Sequence, residues 1–190
     1  MTQQTRVPRE DAAEVWQDVL GRAFQVFSFF YWFLHRNEAP HNENGVCDTV
    51  IGNAALESSL MSIRDLDDFF GGKGKEKDDV IAADFGYSPV GRFLASDERE
   101  GINKKLAHLT YRSVQERRRD GAHTNPRTWN FATLAVRAMV AFIAFLDFLE
   151  TTFFAGDPAQ QGLVRTARKS IEPTLANIKA LADHALEFGA

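Results

Sequence analysis

A single cysteine, Cys47, occurs in 190 residues. No internal disulfide can form, and a zinc site built on paired cysteines is excluded. A lone thiol is compatible with a reducing compartment, so a cytoplasmic location is expected. The opening residues, MTQQTRVPREDAAEV, have no basic start followed by an apolar run and a small-residue cleavage site, so a secretory signal is not expected. Positive charge is also in deficit. With a net charge of −4 and a pI near 5.7, no global basic field draws the protein to nucleic acid or to an anionic membrane. Period-2 alternation is missing, as are Val/Ile/Thr runs bounded by turn residues, so no strand is expected. There is no internal repeat. HExxH, GxGxxG, a Walker loop and the GxSxG nucleophile elbow are all absent, and no cofactor is expected.

What remains is apolar and periodic. Hydrophobic residues make up 44% of the chain and phenylalanine occurs 16 times, which is enough aromatic area to fill a large helical core. Apolar residues recur at spacings of three and four. The length suits one helical domain over 1–190, with 1–8 as a flexible tail. A first helix is expected over about 10–35, with Val15, Trp16, Val19, Ala23, Phe24, Phe30 and Leu34 inward. NEAPHNENG (37–45) reads as a loop. A second helix is expected over about 48–70, with Leu56, Leu60, Ile63, Leu66 and Phe70 on one stripe. GGKGKEK (71–77) follows as a charged loop, and 78–85 (DDVIAADF) reads as a short helix capped by an aspartate. The third long helix is expected over 97–116, with Asp97 and Glu100 as a capping box and Ser96 competing for the cap. Asn125-Pro126 starts a fourth helix, running to about 154 and apolar nearly all round. Asp157-Pro158 starts the last segment, where Pro173 implies either a kink or a new helix from Ser170. The expected architecture is all-α: an up-and-down bundle of four to five long helices with one short helix inserted.

Two segments could be mistaken for membrane spans. FQVFSFFYWFL (24–34) is too short, and 131–149 contains Arg137 and Asp147. A charge at the centre of a bilayer costs at least about 2.5 kcal/mol, so a helix buried within a bundle is the better reading and no membrane partner is expected.

Polar residues of interest concentrate in GINKKLAHLTYR (101–112). At about 100° per residue, Ile102, Leu106 and Leu109 share a core-facing stripe. Lys104, His108 and Arg112 form one i, i+4, i+8 row beside it, with Asn103 on the other flank. Such a row suits an anion or phosphate, and His108 could move protons near neutral pH. It also suits an ordinary solvated edge. Between 99 and 127 there are eight Lys/Arg against three Asp/Glu, a local +5 on a chain whose total is −4. That excess can meet nucleic acid, or it can meet the protein's own acidic segment: Asp65, Asp67, Asp68, Glu76, Asp78, Asp79 and Asp84. The acidic segment lacks EF-hand spacing, and no metal site is expected. Arg64 and Asp68, four apart, read as a structural pair. Arg137 needs a partner if buried, with Glu57 or another acid of the second helix as the candidate.

Three stretches carry a family resemblance: ALESSLMSIRDLDDFF (55–70), DDVIAADF (78–85) and INKKLAHLTYR (102–112). Together they resemble a group of uncharacterised bacterial helical proteins that in turn resemble HEPN domains. The resemblance implies a small helical bundle, commonly a homodimer, associated with RNA cleavage or nucleotide binding. Its hallmark is an arginine, often followed by a polar residue, with four to six residues between that arginine and a histidine. Asn103 and His108 match the polar position and the histidine, but Ile102 stands where the arginine belongs. A literal match, Arg118-x4-His123 (or Arg117-x5-His123), comes later across Asp120-Gly121, which reads as a loop. The basic row and the resemblance together make Asn103, Lys104, His108 and Arg112 the candidate binding surface. Candidates for any residual catalysis are His108, His123 and Arg118. The leading expectation is a degenerate bundle that binds RNA, a nucleotide or a protein partner. A purely structural interaction module ranks second and an active ribonuclease third.

Overall fold

A computed structural model describes residues 7–28, 30, 46–71, 80–88, 91–107 and 131–188, leaving aside the side chains of 9–10, 46–53, 104–107 and 181–188. Among the described residues there are five α-helices, a 3-10 turn and no strand. The helices are α1 (Arg9–Val26), α2 (Val46–Phe70), α3 (Ser96–Ala107), α4 (Phe131–Phe148) and α5 (Pro158–Phe188). The all-α bundle with one short inserted element is the architecture that the periodicity implies.

Helix α1 buries Ala12, Trp16, Ala23 and Val26, a three-and-four spacing that keeps one face inward. Regular α1 ends at Val26, and residues 28 and 30 are again helical after the turn at Phe27. The Phe27 N–H donates to Phe24 O at 3.0 Å, which tightens the last turn, and 31–45 lie outside the described residues. Phe24, expected inside, is 42% exposed. Ala23 and Phe27, one turn apart, take the inner face, and Phe24 falls about 100° round from Ala23. Helix α2 buries Leu60, Ile63, Leu66 and Phe70 as its stripe requires, with Leu56 half-buried against the same core. It meets α1 through small residues. Ser59 donates to the Gln25 carbonyl at 3.1 Å and Ser62 to Gln25 Oε1 at 3.0 Å, so two fully buried hydroxyls are satisfied.

The element expected as a helix over 78–85 is only a 3-10 turn, Ala82–Phe85, with 78 and 79 outside the described residues. Its carboxylate lies inside the turn: Asp84 Oδ2 accepts the Ile81 N–H at 3.1 Å. Gly86, at φ 80°, closes the turn in the left-handed region. The tight turn delivers Phe85 to the core.

Helix α4 packs against α1, α2 and α5 and buries Leu134, Ala135, Ala138, Met139, Phe142, Phe145 and Leu146. It runs into a π-helical turn, Leu149–Phe153, whose wider pitch lets both Leu149 and Phe153 face inward. From Phe131 to Phe153 the helix is long and apolar enough to cross a membrane by length and composition, and half of an apolar 18-residue portion of it is buried inside the protein. Phe145 sits at the centre of the aromatic core. Its ring meets Phe69, Phe85 and Tyr87 edge-on at 5.2, 5.4 and 5.4 Å and Phe70 at 5.9 Å.

Helix α5 starts where Asp157-Pro158 implies. Asp157 Oδ1 accepts the Gln160 N–H at 3.1 Å, an N-cap with proline at the first helical position. The segment is one helix, and Pro173 lies within it rather than dividing it. Val164, Ala167, Ile171, Leu175 and Ile178 face the core. A polar belt joins α5 to α4: Arg168 bonds both Asp147 and Glu172, the latter at 2.6 Å, and Arg165 meets Glu150 at 3.3 Å.

Candidate functional site

Helix α2 carries an acid on its apolar stripe. Asp67 lies four residues after Ile63 and three before Phe70, and its side chain is 0% exposed. A carboxylate in that position must be saturated with donors. Asp67 Oδ1 accepts the N–H groups of Phe93 and Leu94, both at 2.9 Å. Asp67 Oδ2 accepts Arg92 Nη1 at 2.9 Å and Arg99 Nη1 at 2.6 Å. Asp68 accepts the same Arg92 nitrogen at 3.0 Å and the second guanidinium nitrogen of Arg99. Arg99 therefore forks across two successive carboxylates, the geometry that guanidinium favours.

Gly71 makes room for the arrangement. A Cβ there would lie 2.9 Å from Arg92 Cγ and 2.9 Å from the Asp67 carbonyl oxygen. Burial lowers the proton affinity of Arg92, but hydrogen bonds to Asp68 and Asp67 outweigh it and hold the guanidinium above its ordinary value.

Helix α3 begins inside this network. Glu98 Oε2 accepts the Ala95 N–H at 2.8 Å, so Ala95 is the N-cap and Glu98 the reaching third residue. The expected box of Asp97 and Glu100 is displaced by two residues. The reason is tertiary: the other Glu98 oxygen is held by Arg137 of α4, which also donates to the Phe93 carbonyl at 3.0 Å. Arg137 thus finds its acid on α3 and not on α2, and Glu57 is not the partner. Arg64 likewise pairs with Asp65, at 3.2 Å, because Asp68 is engaged by Arg92 and Arg99. Arg92 and Arg99 with Asp67 and Asp68 form one ion-pair group and Arg137 with Glu98 another, and the Phe93 backbone joins the two by donating to Asp67 and accepting from Arg137.

The residues singled out from the sequence fare unequally. Ile102 is 0% exposed, as the core stripe requires. Asn103, the next residue, is exposed and lies one turn after Arg99. Lys104 belongs to α3, but its side chain is outside the described set. His108, Arg112, Arg118 and His123 lie outside the described residues, as does 108–116 of the span expected to be helical over 97–116. Cys47 falls in the first turn of α2, its side chain likewise outside. Among the described residues no three His, Cys, Asp or Glu are grouped to hold a metal. The acidic–basic intramolecular contact raised by the local charge balance is realised where Arg99 meets Asp67 and Asp68.

The Asp67 cluster was missed in the sequence, although one signal pointed to it. An aspartate between Ile63 and Phe70 on a buried stripe demands partners. Their identity is not local, since Arg92 is 25 and Arg99 is 32 residues away.

No protein-family model, no curated protein and no solved structure matches the chain.

Proposed function

We propose that the protein is a non-catalytic helical binding module that takes RNA or a nucleotide phosphate on the polar edge of α3. The candidate contacts flank the buried Ile102: Asn103 on one side and, by the helical spacing of the sequence, the row Lys104, His108 and Arg112 on the other, and the module works as a homodimer. One observation carries the reading. Ile102, which occupies the arginine position of the HEPN-like motif, is fully buried, while Asn103 beside it is exposed. A position committed to packing has no group to offer a scissile phosphate, whereas the neighbouring edge still has polar groups to offer a bound one.

Salt-dependent anisotropy of a fluorescent single-stranded RNA tests the proposal. Binding should weaken as salt rises. Lys104→Ala with Arg112→Ala should flatten the log–log slope by about 1.4, the loss of two phosphate contacts on a single strand. The RNA should remain intact throughout. Cleavage that disappears in His108→Ala or His123→Ala would replace this reading with an active ribonuclease.

A purely structural interaction module is the second reading. It is favoured by the internal use of Arg92, Arg99 and Arg137, each already held by a carboxylate. Absence of RNA binding in the wild-type chain would select it.

A further inference from the structure

The 92–103 segment is anchored in an unusual way. Of its residues, Leu94 at 6% and Ile102 at 0% are buried, while Arg92, Ala95, Ser96, Asp97, Glu100 and Asn103 are exposed. Beside the apolar contacts of Phe93, Leu94 and Ile102 with the core, its attachment is ionic. The bundle side contributes two carboxylates and one guanidinium, from Asp67, Asp68 and Arg137. The segment contributes two guanidiniums and one carboxylate, from Arg92, Arg99 and Glu98. The two sides are complementary in sign. Such contacts differ from the Phe145 core in what separation does to them. Each charged group regains water when the segment leaves, and that hydration offsets much of the hydrogen bonding lost. The aromatic core has no comparable compensation.

We propose that 92–103 is a releasable strap: it detaches locally while α1, α2, α4 and α5 stay folded, and Asp67 sets its docking equilibrium. Asp67 is the hub because one buried carboxylate gathers two backbone N–H groups and two guanidiniums of the segment. The release moves the first turns of α3, and with them the polar edge that carries Asn103. Docking of the strap therefore governs how that edge is presented. This last consequence rests on the binding reading above, whereas the docking equilibrium does not.

Asp67→Asn is the discriminating variant. Its amide oxygen can still accept from the Phe93 and Leu94 N–H groups, but its NH2 turns a donor toward the two arginines. In the full chain, hydrogen–deuterium exchange of peptides covering 92–103 should speed up by about 10- to 100-fold, as expected for lost charge-assisted hydrogen bonds. Peptides from α1, α4 and α5 should keep their wild-type rates. Unchanged exchange over 92–103 would overturn the proposal. So would equal acceleration in α1 and α4, or a variant that does not fold, because the cluster would then belong to the single cooperative core. RNA anisotropy on the same samples separates the two readings. If wild type binds no RNA, the binding reading fails while the exchange result still decides the strap. If wild type binds and Asp67→Asn binds with unchanged affinity, the strap does not govern the edge.

Discussion

Gly71 closes α2 at the point where Arg92 crosses it, and a single methyl group there meets both the arginine stem and the Asp67 carbonyl. The stem can swing aside, but the carbonyl belongs to the helix and cannot. Gly71→Ala should therefore lower stability by about 1–3 kcal/mol, the range for forced overpacking, as read in urea denaturation. A variant as stable as wild type would mean that Arg92 has freedom the packing does not suggest. Tyr87 offers a second test at this scale. Burial, and then the nearby Asp147 charge, raise its pKa above 10.0. A pKa raised on folding favours the protonated phenol, so this contribution is complete below the unfolded value and fades as pH climbs through the folded one. Tyr87→Phe should lose stability less steeply than wild type in alkaline buffer, measured as melting temperature against pH. Parallel curves would remove Tyr87 from the account.

At the scale of the element, α5 holds a proline where a helix least tolerates one. Pro173 has no N–H to give the carbonyl four residues back, and it is exposed, so no packing depends on its ring. Pro173→Ala should raise stability by about 1–3 kcal/mol, allowing for adjustments the helix has already made and for the freer unfolded chain. A lower melting temperature would instead assign Pro173 a bend that seats Ile171, Leu175 and Ile178. Helix starts show which element features are readable in sequence. Asp157-Pro158 is self-contained, since cap and first turn lie within four residues, and α5 begins there. The start of α3 is not self-contained. Three acids compete for its cap, at Asp97, Glu98 and Glu100, and the choice of Glu98 follows from where Arg137 reaches it across the bundle. The wide turn Leu149–Phe153 was equally illegible, because a run of apolar residues in α4 gives no sign of one residue too many per turn.

For the whole molecule, Phe145 joins α2, the 3-10 turn and α4 through a set of edge-on rings. Phe145→Ala should cost about 3–5 kcal/mol and loosen every helix together, seen as one cooperative shift in chemical denaturation. A shift confined to one element would show that the bundle is not a single unit. The contrast with Asp67→Asn, expected to act on 92–103 alone, is the most informative comparison available at this scale. The sequence by itself determined that the chain is helical, which faces are buried on α2 and at Ile102, and where α5 starts. Periodicity and capping act over three or four residues, so they can be read along the chain. Only the tertiary structure decided which charges meet. Asp67 with Arg92 and Arg99, and Arg137 with Glu98, depend on which helix ends face one another, a choice made by aromatic packing many residues away.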